Sequence, residues 1–106
     1  MSIDEMTVED IATAFRARAG EFTPLKARVM FDLGDDGNLM VDATEAPPEI
    51  SVEAGEADCT IRLSLPNLAK LMAGNLSPTL AYAMGKLKIE GSMGLAMKVA
   101  ALLDDD

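Results

Sequence analysis

Val8, Ile11, Ala12, Phe15 and Ala19 fall on one stripe at helical spacing. Thr7 stands just before the stripe and Asp10 three residues further on, the arrangement of a capping box. Arg16 and Arg18 come late, where cations suit the helix dipole, and Gly20 ends the run. The pattern predicts a first helix from about Thr7 to Ala19. The period then changes to two. Leu25, Ala27, Val29, Phe31 and Leu33 alternate with Lys26, Arg28, Met30 and Asp32. Gly34-Asp35-Asp36-Gly37 has the residues of a hairpin turn, because glycine and aspartate tolerate the backbone angles a turn needs. Leu39, Val41 and Ala43 then alternate with Asn38, Met40 and Asp42, which completes a hairpin.

Pro47-Pro48 interrupts strand pairing and predicts a loop or a sheet edge. Ile50 and Val52 carry a short third strand, and Gly55-Glu56 turns the chain. Ala57, Cys59, Ile61 and Leu63 alternate with Asp58, Thr60, Arg62 and Ser64, a fourth strand with one polar face. Ser64 or Pro66 opens a second helix through Leu65, Leu68, Ala69, Leu71 and Met72, stopped at Gly74. Ser77-Pro78 restarts a short helix that holds Leu80, Ala81, Tyr82 and Met84 and ends at Gly85. Lys86 to Glu90 alternates as a fifth strand. Gly91 turns, Ser92 caps, and a last helix runs from Met93 to Leu103. The three aspartates after it are expected to fray, since their charge opposes the helix dipole. The order is helix, four strands, two helices, strand, helix. It predicts one α+β domain over residues 1–106, with a five-stranded, mostly antiparallel sheet and helices packed on one face.

The last helix departs from the ordinary amphipathic pattern. A helix on a sheet buries a stripe roughly 100° wide and leaves the rest wet. Between Met93 and Leu103 only Lys98 is charged, and Gly94 adds no polar group. Leaving large apolar side chains in water forgoes about 1.5–3 kcal/mol each. The excess face therefore needs a partner: neighbouring helices, a ligand cavity, or a second subunit. Met72, Met84, Met93 and Met97 cluster in this half of the chain, and flexible thioethers suit both irregular cores and variable apolar ligands.

Charge and rare residues narrow the chemistry. The 106-residue chain carries a formal net charge of −9, which repels nucleic-acid phosphates and excludes nucleic acid as a partner. It contains no histidine, so Ser-His and Cys-His nucleophile pairs and imidazole metal ligands are absent. Cys59 is the single cysteine and sits on the apolar phase of a strand, the place of a buried, inert thiol. No stretch reaches the ~18 apolar residues of a membrane span, and the first residues lack a signal-peptide core, so the expected location is the cytoplasm. Asp35-Asp36 reads as a solvated turn, and Lys86 and Lys88 lie on the polar phase of a strand. The expectation is a protein without catalytic residues, metal or cofactor.

Ala57-Asp58-Cys59-Thr60-Ile61-Arg62-Leu63-Ser64 is followed by Leu71-Met72-Ala73-Gly74-Asn75-Leu76-Ser77-Pro78. Ala81-Tyr82-Ala83-Met84-Gly85-Lys86-Leu87-Lys88-Ile89-Glu90-Gly91-Ser92 and Ala96-Met97-Lys98 come next. This series resembles the sterol carrier protein 2 family of nonspecific lipid-transfer domains, in the form of a stand-alone bacterial-type member. The resemblance implies a five-stranded sheet covered by helices, with an apolar tunnel between the layers. It implies binding, and intracellular transfer, of a fatty acid, acyl-CoA, sterol-like lipid or phospholipid. The partners it suggests are a lipid or acyl-chain ligand, transient membrane contact and a homodimer. An alternative role is a dimerising or docking module of a lipid or quinone biosynthetic complex. Helical and strand phase select Phe15, Phe31, Leu71, Met72, Leu76, Leu80, Met84, Met93, Met97, Ala100 and Leu103 as candidate lining residues. Tyr82 is either a polar handle for the ligand or a surface tyrosine.

Overall fold

A computed structural model of the chain describes residues 7–103. The expected fraying of the terminal aspartates lies outside the described residues. Helix α1 spans Val8–Ala17. The capping box forms: Thr7 Oγ1 accepts from the Asp10 amide at 3.3 Å, and the Asp10 carboxylate accepts from the Thr7 amide at 2.9 Å. The helix ends two residues short of the expected Ala19, and a 3-10 helix, Ala19–Leu25, follows. Pro24 near its end supplies no backbone N–H, and Lys26 closes the segment in the left-handed region at φ 51°. Leu25, expected at the start of a strand, is therefore buried at the end of this helix instead.

Five strands follow the predicted order: β1 (Arg28–Asp32), β2 (Asn38–Asp42), β3 (Glu49–Ser51), β4 (Cys59–Leu63) and β5 (Leu87–Gly91). They lie side by side as β3-β2-β1-β4-β5. Only β1 and β4 pair in parallel; the other neighbours are antiparallel. The register puts Val29 opposite both Val41 and Cys59, and Phe31 opposite both Leu39 and Ile61. Val41 faces Ile50, Ile61 faces Ile89, and Leu63 faces Leu87. All of these side chains share one face of the sheet, because side-chain direction alternates with period two.

The opposite face is polar. Arg62 there reaches Asp32 at 3.3 Å and Glu90 at 3.0 Å, and Arg28 reaches Asp42 at 3.6 Å. Such exposed pairs contribute at most about 1 kcal/mol each. Met40 lies on this face, yet it is buried. The loop at Gly55 folds over it: a β-carbon on Gly55 would stand 3.6 Å from Met40 Cε and 3.5 Å from Arg28 Nη2.

The helices cover the apolar face. α1 packs on β2 and β3. Helix α2 spans Leu65–Met72 and α3 spans Pro78–Ala83, which packs on β5. Helix α4, Met93–Leu103, lies over β4 and β5 and against the 3-10 helix. Ser64, Ser77 and Ser92 each accept a hydrogen bond from the first turn that follows, at 3.2, 3.4 and 3.2 Å. At the far end of α4, the Arg18 guanidinium donates to the Leu102 carbonyl, one of the acceptors a helix end leaves without an intrahelical partner. Phe15 stacks on Phe22 with centroids 5.2 Å apart and meets the edge of Phe31 at 5.5 Å. These rings join the α1 side of the core to the centre of the sheet.

Candidate ligand cavity

α4 uses its apolar residues in three ways. Ala96, Val99 and Leu103 are buried toward the sheet. Ala100 is half-buried over a void. Met93 and Met97 are open to solvent. The void is a cavity of about 140 Å³. Phe31 of β1, Ile61 of β4, and Leu87 and Ile89 of β5 form its floor. Leu71 of α2 and Pro78, Thr79 and Tyr82 of α3 make one wall. Met93, Ala96, Met97, Val99, Ala100 and Leu103 of α4 form the roof. No polar atom is exposed in the lining. Thr79 and Tyr82 thus contribute carbon surface rather than their hydroxyls.

Of the residues selected from sequence, the structure brings Phe31, Leu71, Met93, Met97, Ala100 and Leu103 around this cavity. Phe15 is not in the wall. It is fully buried one layer behind Phe31, because the α1 stripe faces β2 and β3 rather than β5. Met72 and Leu76 are half-buried against the core but do not reach the cavity. Leu80 and Met84 are exposed on the outer side of α3, whose only buried residue is Ala81. Six residues is too short a run for helical phase to tell the inner face from the outer.

Sequence reasoning misses Ile61, Leu87 and Ile89, whose alternation marks them only as strand core. The pairing of Ile61 with both Phe31 and Ile89 makes them the floor, and that pairing is a property of the sheet. Tyr82 falls between its two expected roles: half exposed, with its ring in the wall. Among the described residues no cluster of carboxylates, histidines or thiols could hold a metal ion. Cys59 is buried under the sheet's helical layer, and that burial pushes its thiol pKa above the ordinary 9.0. No helix among the described residues is long and apolar enough to cross a membrane.

This combination defines a class: α+β domains in which helices roof a mixed five-stranded sheet and leave a dry cavity between the layers. Residues 9–104 match the model of the SCP-2 sterol transfer family, and the chain belongs to that family. It is 39% identical over 70 residues to sterol carrier protein 2 of Gallus gallus. That match takes in 65% of this chain and 13% of the Gallus protein, so the chain corresponds to a small part of that relative's length. Among solved structures, the apo form of sterol carrier protein 2 from Yarrowia lipolytica superposes with a TM-score of 0.75 at 19% identity. The superposition covers 92% of this chain and 91% of that one. The solution structure of palmitated SCP2L2 from Aedes aegypti gives 0.72 at 21% identity over 92% and 95% of the two chains. At those identities the two structures speak for the fold.

Proposed function

We propose that the chain is a non-catalytic carrier that binds the hydrocarbon part of a lipid between the sheet and α4, and passes it on. The observation that carries this reading is the cavity itself: enclosed by side chains from six elements and dry in its lining. A void lined only by carbon gains nothing from water and takes apolar solutes. Its volume of about 140 Å³ is near that of a cavity that holds benzene, and below the ~300–1,000 Å³ of ordinary ligand pockets. A whole acyl chain therefore enters only as α3 and α4 separate at Tyr82, Met93 and Met97. Methionine at two of these three positions eases that separation, since its side chain repacks readily. With no polar anchor inside, the ligand's polar end stays at the mouth, and selectivity among lipids of similar girth is low. A fatty acid or fatty acyl ester fits this better than a rigid sterol. The Aedes aegypti relative, solved as the palmitated protein, agrees with that choice.

Gentle purification followed by mass spectrometry tests the proposal, alongside titration with a fluorescent fatty acid. Co-purifying acyl lipids and saturable uptake are expected. A protein that carries no lipid and takes up no probe would overturn it.

A further inference from the structure

The two edges of the sheet differ. β3 at one edge is three residues long and follows Pro47-Pro48, features that discourage further pairing. β5 at the other edge is five residues, Leu87–Gly91, without proline. In an antiparallel pair alternate residues bond to the neighbour, and the rest turn their N–H and C=O the other way. The Ser92 amide donates to the Asp58 carbonyl at 3.1 Å, which sets the phase. Under the register of β4 and β5, Thr60–Glu90 and Arg62–Lys88 are then the hydrogen-bonded pairs. The amides of Ala43 on Ala27 and of Leu33 on Gly37 turn the odd-numbered residues of β1 to β2, and this gives β4 the same phase. Leu87, Ile89 and Gly91 therefore direct their backbone groups outward, where no other strand lies among the described residues. The charges on this strand form a pattern too. Lys88 stands opposite Arg62, a like charge, and has no carboxylate partner among the described residues. Glu90, two residues on and on the same face, reaches Arg62 at 3.0 Å.

We propose that β5 pairs with β5 of a second copy of this chain across a two-fold axis at Ile89, joining the two five-stranded sheets edge to edge. The inference goes beyond the carrier reading and does not depend on it. Antiparallel pairing about Ile89 sets Ile89 against its own copy and Leu87 against the partner's Gly91, so every outward N–H and C=O of the strand finds a mate. It also sets Lys88 against the partner's Glu90, and Glu90 against the partner's Lys88. These are the non-hydrogen-bonded positions, where facing side chains come closest. An axis at Lys88 would put lysine against lysine, and one at Glu90 glutamate against glutamate. The strand is charge-complementary to itself in one register, which selects a second copy over an unrelated peptide. The helices agree with this arrangement. α3 leads into the Leu87 end of β5, where the Lys86 amide donates to the Ala81 carbonyl at 2.9 Å. α4 starts two residues after the Gly91 end. Antiparallel pairing brings opposite ends together, and so turns α3 of one copy toward the start of α4 of the other. The large apolar residues exposed among the described residues lie on or beside these two elements: Leu80, Tyr82, Met84, Met93 and Met97, each 46–57% exposed. Covering them supplies a driving force that edge hydrogen bonds, already made to water, lack.

The test is analytical ultracentrifugation of the wild type, K88E, E90K and K88E/E90K, with melting temperatures to show that each folds. The wild type is expected to approach twice its 11.2 kDa mass as concentration rises. K88E sets carboxylate against carboxylate across the axis, and E90K sets lysine against lysine. Each should raise the dissociation constant at least about tenfold. K88E/E90K exchanges the two charges and should dimerise like the wild type. An equimolar mixture of K88E and E90K should form a heterodimer. One chain then presents only carboxylates at positions 88 and 90, and the other only ammonium groups. Should E90K unfold for want of its bond to Arg62, the contrast between K88E and K88E/E90K still decides. Amide hydrogen exchange at Leu87, Ile89 and Gly91 should slow as the wild-type dimer forms. A wild type of single-chain mass at the highest concentration it reaches would overturn the proposal. So would a dimer indifferent to K88E and E90K, a mixture of the two that stays monomeric, or β5 amides protected only by an added peptide.

Discussion

The carbonyl oxygen of Asp58 stands 2.5 Å from the place a β-carbon on Gly91 would occupy. Gly91 ends β5 at φ +91°, and the next amide, Ser92, donates to that same carbonyl at 3.1 Å. The contact fixes where α4 departs from the sheet, and so sets the height of the cavity roof.

Gly91→Ala meets both a left-handed backbone and a fixed carbonyl. The expected cost is about 1–3 kcal/mol in urea denaturation, with weaker fatty-acid uptake as α4 shifts. Gly20→Ala is the control: nothing lies within 4 Å of its added β-carbon, and it should be neutral or slightly stabilising.

Cavity variants should separate binding from folding. Met97 is about half exposed, so in Met97→Glu the carboxylate reaches water and the melting temperature stays within a few degrees, about the effect of a surface substitution. Uptake of the fluorescent fatty acid should fall at least tenfold. Ala100→Leu fills the void from above and should likewise reduce uptake, at a stability change below about 1.5 kcal/mol. Leu103→Ala, at a buried wall position, should cost about 2–5 kcal/mol. Uptake by both Met97→Glu and Ala100→Leu at wild-type strength would place the ligand elsewhere.

Cys59 reports on opening of the core. Its thiol is buried and its pKa raised by burial, so reaction with a thiol reagent requires the fold to open. Labelling should be slow in buffer and speed up with sub-denaturing urea. The raised pKa contributes stability that is complete below the unfolded thiol value and lost as pH climbs above it. Cys59→Ala should flatten the alkaline limb of the stability profile above about pH 9.

Asp42 contributes at the acid end. A hydrogen bond from the Thr44 hydroxyl is the largest influence and holds its carboxyl below the ordinary 3.8; burial opposes it, and the Thr44 amide and the charge of Arg28 add smaller lowering effects. A depressed carboxylate stabilises the fold above its unfolded pKa and loses that effect as pH falls through the folded value. Thr44→Val should therefore move the acid unfolding midpoint to higher pH, read by circular dichroism below about pH 4. Stability near neutrality should change little by comparison.

Much of the architecture is legible in the chain, because caps and periodicity are local. Thr7 with Asp10, Ser64, Ser77 and Ser92 mark helix starts by short-range bonds that the structure contains. Strand alternation separates Val29 and Phe31 from Arg28 and Asp32 by side-chain direction alone. The burial of Met40 is not legible, since it depends on a loop that comes back over it from Gly55. The short reach of the first helix depends on how Pro24 and Lys26 settle the chain before β1.

The site divides along the same line. That the helix from Met93 to Leu103 has more apolar surface than one sheet contact can bury follows from its composition, whatever the fold. Which of its residues face a cavity is a matter of the packing distance between α4, α3 and the pair Ile61–Ile89. Phe15 and Leu80 carry the same apolar signal as Phe31 and Met97, yet one lies a layer too deep and the other on the outer side of α3. Hydrophobicity is a property each residue brings with it. A cavity is space that several elements fail to fill together, and only their assembly decides where it lies.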